Sequence, residues 1–396
     1  MQLRTPARGP KEKSPPERAG ETAAAGYQPS EIYVAPQWKL VWWGFRRHRL
    51  AMAGAWVTLI LIFIAVFAEF LAPYKTGAVN GDYTYAPPQR LHIVDMSGDK
   101  FQLGLYVYGY DSSLDPQTLE LTYTVDKSEK IPVGLFVAGP SYKLWGLIPA
   151  DIHLIGPIEE DAPMYLLGAD RNGRDMLSRI IYGIRVSLSI GLVGVLLTFI
   201  LGILFGGISG YFGGAADTSI QRGIEFIMAI PTIPLWLGLS AAVPQSWGPL
   251  LTYFAITTIL SIIGWTDLAR VVRGRFLSLR QEDFVRAALL DGCRRSRVIF
   301  RHMLPSFSSH IIASLTLAIP FMILAETALS FLGLGLQPPV VSLGVLLQEA
   351  QNIRSVATAP WLFIPGIAVV VAVLALNFVG DGLRDSADPY KPAGQS

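Results

Sequence analysis

The chain has 396 residues, of which 51% are hydrophobic and only 16% are charged. Soluble domains carry roughly 25% charged residues, so this composition indicates a membrane protein and excludes a large soluble core. The formal net charge is +2, and no basic block is interleaved with aromatic residues, which argues against nucleic acid as a partner. The single cysteine, Cys293, cannot form an internal disulfide, and the sequence predicts no cofactor and no metal site.

The N-terminal region predicts a tail, an interfacial helix and a first span. Residues 1–35 are rich in Pro, Lys, Glu, Ala and Gly, which predicts a disordered tail and not a cleaved signal peptide. The run from Ala51 to Ala68 has 18 residues without a charge, close to the roughly 20 that cross a bilayer as a helix. Tryptophans and arginines precede it, as at a membrane interface, so residues 36–73 predict an interfacial helix and a span.

Residues 74–165 predict a small β-rich insert between the first two spans. They hold 6 Lys/Arg and 12 Asp/Glu residues, a net charge of −6. Apolar residues alternate in three runs separated by turn-forming residues, which is typical of strands. The alternating residues are Phe101, Leu103, Leu105 and Val107, then Leu119, Leu121, Tyr123 and Val125, then Val133, Leu135 and Val137. Tyr106, Tyr108 and Tyr110 fall on the opposite face, where we expect them either to be exposed for docking a protein or to pack on a second layer.

Residues 166–390 predict five further spans, which gives an all-α polytopic membrane protein with about six transmembrane helices. The predicted spans are Val186–Ala216, two helices within Phe226–Thr266, Ile311–Leu334 and Ala359–Gly380. The run Phe226–Thr266 is uncharged over 41 residues, about twice the length of one crossing. A turn-forming cluster at 243–249 divides it and predicts a helical hairpin.

Arginine placement predicts the orientation of the chain. Residues 270–302 contain nine arginines, and short basic segments stay on the cytoplasmic side of a membrane. The basic cluster Arg46–Arg49 marks the same side for the start of the chain. With six spans, both basic segments fall on the same side of the membrane. Both termini are therefore predicted to be cytoplasmic and the insert extracytoplasmic.

The basic segment 281–306 predicts two short helices separated by Gly292. Gly292 interrupts the first helix, and the second is predicted to stop at Pro305. Small or apolar residues of the first helix are Phe284, Ala287, Ala288 and Leu290. A loop that only set topology would not need this length, and a helix–glycine–helix form is suited to a partner's groove.

The same segment resembles the cytoplasmic signature of binding-protein-dependent permeases, which reads Glu-Ala-Ala, three residues, Gly, and about a dozen residues later Leu-Pro. The matching residues are Ala287, Ala288, Gly292, Leu304 and Pro305, and Arg286 stands at the Glu position. Residues 167–188, 326–339 and 380–389 are similar to segments of oligopeptide and dipeptide permeases. The chain therefore resembles the C-type permease subunit of the oligopeptide, dipeptide and nickel family of ABC transporters.

This resemblance implies a type I importer permease of the inner membrane, in which segment 281–305 is the coupling helix. It implies four partners besides membrane lipid: a second permease subunit, two cytoplasmic ATP-binding subunits and an extracytoplasmic substrate-binding protein. The chain itself is expected not to be an enzyme, and it has no GxxxxGK[ST] loop. Peptides or related small solutes are the implied substrates, while nickel complexes, opines and sugars stay open.

Two other classes of function are weaker alternatives. A secondary transporter would carry ion-relay residues and internal repeats, and the spans show few charges and no repeat. A membrane-anchored enzyme would place its chemistry in the insert, where no nucleophile–base spacing or metal cluster is evident.

Three acidic residues near or inside the spans have separate interpretations. Glu326, within the fifth span, either lies on the translocation path or makes a structural hydrogen bond to a neighbouring helix. Asp267 is expected to pair with Arg270, one turn away. Asp170 is predicted to cap the helix that enters the second span.

Overall fold

The computed structural model describes residues 37–95, 102–114, 116, 121–159, 162–244 and 246–387, so the predicted tail lies outside the described residues. The first helices are α1 (Gln37–Arg47), α2 (Arg49–Val66), α3 (Ala68–Leu71), α4 (Met176–Phe212), α5 (Gly214–Ala229), α6 (Thr232–Ala241) and α7 (Pro249–Leu279). The later helices are α8 (Asp283–Leu290), α9 (Arg295–Val298), α10 (Leu304–Ser306), α11 (Ser308–Phe331), α12 (Leu343–Gln348), α13 (Ile353–Thr358) and α14 (Ile364–Ala387). The strands are β1 (His92–Asp95), β2 (Gln102–Leu114), β3 (Leu121–Leu144) and β4 (Ile148–Pro157).

Five helical stretches of the described chain are long and apolar enough to cross a bilayer, and a bent pair raises the number to six. The five are Arg49–Val66, Met176–Phe212, Pro249–Leu279, Ile311–Phe331 and Pro360–Ser386, and the bent pair is α5 with α6. This agrees with the predicted count of about six.

The third crossing begins at Gly214, earlier than the predicted Phe226, and it is bent. Helices α5 and α6 meet at an angle of 88°. The bend falls at Ile230, which has an extended ψ of 128° and precedes Pro231. A proline disfavours the helical conformation of the residue before it, so the helix stops there and restarts.

The second crossing begins ten residues earlier than predicted, at Met176 and not at Val186. Arg179 and Arg185 lie in its first turns, and the predicted span began only after the second of these charges. Both arginines are paired with acidic residues, so the helix accommodates them.

Small residues allow the longest helices to pack closely. Gly202, Gly206 and Gly210 recur every fourth residue on the face of α4 that meets α7. A Cβ atom at Gly206 would lie only 2.5 Å from the carbonyl oxygen of Ala269. This spacing of small residues is typical of helix pairs inside membranes.

Contacts between helix termini define two ends of the bundle. At the end where α2 finishes and α4 starts, Arg185 donates to the carbonyl oxygen of Val66 at 3.1 Å. Trp361, just before α14, donates to the carbonyl oxygen of Ala169 at 2.9 Å at this same end. We call it the insert end, because β1–β4 connect here.

The opposite end holds the termini of α4, α7 and α14 together with the start of α2. Arg280 donates to the carbonyl oxygen of Tyr211 at 3.1 Å, which joins the end of α7 to the end of α4. Gly382 lies against Ala51, which joins the end of α14 to the start of α2. We call this the arginine end, because residues 270–302 lie here.

The insert contains a four-stranded antiparallel sheet in the order β1-β2-β3-β4. Each pairing of neighbouring strands contains an irregularity in its register. The long β3 pairs with β2 over its first half and with β4 over its second half. A small core forms beneath the sheet from Val107, Ile131, Val133 and Met164.

The expectation that the tyrosines of β2 are exposed is wrong. Tyr106 is buried, and its ring centroid lies 5.3 Å from that of His92 and 5.4 Å from that of Tyr108. Tyr110 donates to the carbonyl oxygen of Pro87 at 3.0 Å. The tyrosines thus pack against the chain around β1, as the alternative interpretation expects.

Candidate functional site

Segment 283–306 forms a compact helical unit at the arginine end. Gly292 follows α8 with φ of +76°, a left-handed conformation that glycine adopts without strain. Beyond α9, a π-helical turn at Ile299–Met303 leads into α10. The second helical stretch ends at Ser306, within one residue of the predicted stop at Pro305.

One side of this unit is anchored to the bundle. Val285 and Ala288 of α8 are buried. They belong to a cluster with Tyr211, Leu268, Val272, Phe276, Val298, Met303, Phe307 and Ile311. Leu304 packs against the same cluster from its edge. The anchoring residues from the bundle belong to α4, α7 and α11, so α8 packs directly against the ends of these three long helices.

The other side of α8 is apolar and exposed. Phe284, Ala287 and Leu290 follow one another at intervals of three residues, which places them along one stripe of the helix. Leu290 is 89% exposed. The predicted apolar face is therefore divided: Ala288 faces the bundle, and these three residues face outward. Exposed apolar stripes of this kind mark contact surfaces.

The remaining predicted coupling residues lie on the outward side. Arg286, Gly292 and Pro305 are all exposed. The structure thus gathers the six predicted residues into one unit, with Ala288 and Leu304 inside it and the others on its surface.

Glu326 lies at the centre of a buried hydrogen-bond network. Its side chain is completely buried. Ser330 and Ser342 donate hydroxyl groups to its Oε1 at 2.8 and 2.6 Å, and Ser187 donates to its Oε2 at 3.1 Å. Glu326 therefore joins α11 to α4 and to the loop before α12.

Each of the three serines also accepts a hydrogen bond from a backbone N–H group. The hydroxyl oxygens of Ser187 and Ser330 accept from the N–H groups of Leu343 and Leu336, at 3.2 and 3.0 Å. Ser342 caps α12 by accepting from Val345 at 3.2 Å. Through these serines Glu326 fixes the path of the loop between α11 and α12.

That loop lines a cavity of about 620 Å³ at the insert end. The opposite wall comes from the end of α6, the turn that follows it and the start of α7. Residues lining the cavity include Ser240, Pro244, Trp247, Thr252, Gly335, Gln337 and Val340. Glu326 does not line the cavity but positions one of its walls.

A second buried cluster of charges lies where α4 begins. Asp170 is completely buried and accepts the backbone N–H groups of Asn172 and Arg174 at 2.8 and 3.0 Å. Its carboxylate also pairs with the side chains of Arg174, at 2.7 Å, and Arg179. Glu349 lies 3.5 Å from each of these arginines. The cluster joins the start of α4 to the chain that follows α12.

The prediction that Asp170 caps this helix is wrong, because Asp175 occupies the capping position. The Asp175 carboxylate accepts the backbone N–H of Ser178 at 2.7 Å. Complete burial raises the pKa of Asp175 to about 6. Burial also raises the pKa of Glu349, and the nearby Asp170 charge acts in the same direction.

Arg185 caps the C-terminal end of α2. It donates to both carboxylate oxygens of Glu69 and to the carbonyl oxygen of Ala65 at 2.5 Å. Burial opposes the ionisation of Glu69, but the hydrogen bonds and charge of Arg185, together with backbone hydrogen bonds, hold the pKa of Glu69 below its usual value. The last carbonyl groups of a helix lack partners within it, so Arg185 satisfies groups that would otherwise be unpaired.

Charges near the arginine end also form pairs. Arg270 and Asp267 are 3.3 Å apart, which confirms the predicted pairing. Sequence reasoning did not find the pair of Arg273 with Asp217, whose atoms lie 2.6 Å apart and which joins α7 to α5. A basic residue on one helix and an acidic one on its neighbour offer no local signal, since their pairing depends on how the helices pack.

Comparison with known families matches two parts of the chain. Residues 202–390 match the model of the binding-protein-dependent transport system inner membrane component. Residues 36–88 match the N-terminal TM domain of oligopeptide transport permease C. The oligopeptide transport system permease protein OppC of Haemophilus influenzae is 36% identical over 226 residues, which cover 57% of this chain and 70% of that protein.

The chain belongs to the family of binding-protein-dependent ABC transporter permeases. This confirms the family predicted from the sequence. The dipeptide transport system permease protein DppC of Bacillus subtilis is 35% identical over 56% of this chain and 68% of that protein. DppC of Lactococcus lactis is 29% identical over 349 residues, 88% of this chain and 89% of that protein. A match of that length necessarily includes part of residues 74–165.

A solved structure of the MetNI methionine ABC transporter is also similar to this permease chain. It covers 54% of this chain and 98% of the matched chain, with 16% sequence identity and a TM-score of 0.43.

Proposed function

We propose that this permease is the transmembrane subunit of an ATP-driven importer of peptides. Its relatives named for oligopeptide and dipeptide transport support peptides over nickel complexes, opines or sugars. Membership of the family supports an ATP-driven importer over a secondary transporter. The single observation that carries the proposal is the unit 283–306, anchored on one side and apolar and exposed on the other.

In this proposal the exposed stripe of α8 docks in a groove of a cytoplasmic ATPase subunit. Closure of two ATPases around ATP displaces α8, and the buried cluster passes the displacement to α4 and α7. Helix α7 has 31 residues, about 46 Å of helix, so a displacement at the arginine end reaches the insert end. ATP hydrolysis itself belongs to the ATPase partners.

The arginine end is then cytoplasmic, in line with the positive-inside rule. Both termini lie on that side of the inner membrane, and the insert lies outside. A second permease subunit completes a type I importer, and a substrate-binding protein delivers peptide at the insert end. Glu326 acts on the translocation path indirectly, by holding the loop that lines the cavity there.

The docking surface is tested by Leu290→Glu in the assembled transporter. Leu290 is so exposed that the change leaves the fold intact, while a charge on the stripe opposes docking. We expect loss of most of the ATPase activity that peptide-loaded binding protein stimulates in proteoliposomes. Ser219→Glu is the matched control, since it puts the same charge on an exposed residue of α5 at the same end.

Equal activity of the two variants would contradict the docking assignment. A ligand panel of peptides, nickel complexes, opines and sugars, presented with the binding protein, tests the substrate separately. Stimulation by a class other than peptides would overturn the substrate and leave the docking surface standing.

A further inference from the structure

The β3–β4 hairpin ends in a tip, residues 143–148, with large apolar side chains on its surface. Leu147 is 79% exposed, Ile148 is 52% exposed and Trp145 is 51% exposed. Lys143 is the only charged residue of the tip. Side chains of this size and character, grouped on a surface, mark a site of interaction.

Contacts with the chain that leaves α2 show where the tip points. The indole N–H of Trp145 donates to the carbonyl oxygen of Val66 at 2.8 Å, and its ring lies 6.1 Å from that of Phe67. Farther from the tip, Nδ1 of His153 lies 2.6 Å from the carbonyl oxygen of Ala72. The chain passes Val66 before Ala72 as it leaves the span, so the tip points back toward the bilayer.

The length of α2 fixes the depth of this contact. Its 18 residues extend about 27 Å, close to the roughly 30 Å of a hydrocarbon core. Val66, the last residue of α2, therefore lies at the boundary between acyl chains and headgroups. Trp145 lies at the same level, where tryptophan is enriched in membrane proteins.

The tip is also suited to this boundary in its backbone and its charge. The turn is closed by backbone hydrogen bonds of 3.0 Å, from the N–H of Gly146 to the carbonyl oxygen of Lys143 and from the N–H of Leu147 to that of Leu144. These peptide groups therefore have partners within the turn, which they need because lipid acyl chains offer none. The apolar stem of Lys143 can lie along lipid while its ammonium group reaches water. The far part of β3, by contrast, is charged at four of the five positions 126–130.

We propose that the hairpin tip inserts into the headgroup–acyl boundary of the leaflet at which α2 ends. The insert is then held by lipid as well as by its contacts with α2, which fixes its height above the membrane. This requires α2 to be a membrane span but does not depend on the proposed substrate or on coupling to ATP.

A fluorescent label tests the insertion in the assembled transporter in lipid nanodiscs. Leu147→Cys is labelled with a nitrobenzoxadiazole dye in a Cys293→Ser background, and Ile148→Cys provides a second position. We expect blue-shifted emission that phosphatidylcholine with a nitroxide near the top of the acyl chain quenches and aqueous iodide does not. Ser113→Cys, on an exposed part of β2 beside the far end of β3, should show the reverse.

Two outcomes overturn the proposal. Quenching of the tip label by iodide alone would place the tip in water. Blue-shifted emission that neither reagent quenches would show that another protein subunit covers the tip.

Discussion

At the residue scale, Glu326 joins α11 and the loop before α12 to Ser187 of α4, which lies 139 residues earlier in the sequence. Its carboxylate accepts three serine hydroxyls, and each serine holds a backbone N–H in turn. A buried carboxylate of this kind stabilises a single arrangement of its neighbours, because losing one partner leaves buried polar groups unpaired. Its position suggests that the effect of Glu326 on transport comes through the loop between α11 and α12.

Glu326→Gln tests this interpretation. In this variant the side-chain NH2 group would face the Ser187 hydroxyl, so that two hydrogen-bond donors would point at each other. The Ser187 oxygen already accepts a hydrogen bond from the N–H of Leu343. We expect a loss of about 1–3 kcal/mol in the free energy of unfolding, with a parallel loss of transport. Thermal unfolding in detergent and peptide uptake in proteoliposomes measure the two effects.

Glu159→Gln is the control, since it removes the same charge from an exposed residue outside the unit 283–306. A Glu326→Gln variant that melts like the wild type but fails to transport would contradict the positioning role. That result would favour direct contact of Glu326 with the translocated substrate.

At the element scale, the turn between α8 and α9 depends on the backbone of Gly292. Its φ of +76° is left-handed, and a Cβ atom there would meet no atom within 4 Å in the described structure. Strain in a substituted residue therefore comes from the backbone alone. This conformation costs a leucine about 1–2 kcal/mol of conformational free energy, while asparagine adopts it more readily.

We expect Gly292→Leu to misplace α9 relative to α8 and to uncouple ATP hydrolysis from transport. Gly292→Asn should keep both activities, since it adds a side chain but accepts the same backbone. Peptide transported per ATP hydrolysed, measured in one proteoliposome preparation, separates the two variants. Normal coupling in the leucine variant would mean that this turn has no part in docking.

At the scale of the whole molecule, the sequence predicts the features that local patterns encode. Long uncharged runs locate the crossings, and alternation locates parts of β2 and β3. It did not find β1 or β4, and the predicted turns at 111–113 and 126–128 lie inside β2 and β3. The spacing from Ala287 to Pro305 locates the segment at the arginine end. Each of these signals lies within one stretch of chain, so no knowledge of packing is needed to find it.

Features that depend on packing escape the sequence. The Asp170 cluster needs Glu349, and the Glu326 network needs Ser187 and Ser342, which come together only when α4, α11 and α12 pack. Pro231 is a local signal for the bend, but it lies within an uncharged run that predicts a membrane span. The β2 tyrosines occupy every second position, and this spacing is the same whether their face of the strand is buried or exposed. The pattern alone therefore could not predict their burial.

Cysteine labelling tests the orientation of the whole chain. In a Cys293→Ser background, Lys127→Cys lies in the insert and Ser296→Cys lies at the arginine end, and both positions are exposed. The helix-end contacts put these two ends on opposite faces of the bundle, and the nine arginines of residues 270–302 predict that the second face is cytoplasmic. In spheroplasts, where the outer face of the inner membrane is accessible, a membrane-impermeant maleimide should therefore label Lys127→Cys. It should label Ser296→Cys only after permeabilisation. Labelling of both from outside would contradict six crossings, and labelling of Ser296→Cys alone would invert the orientation.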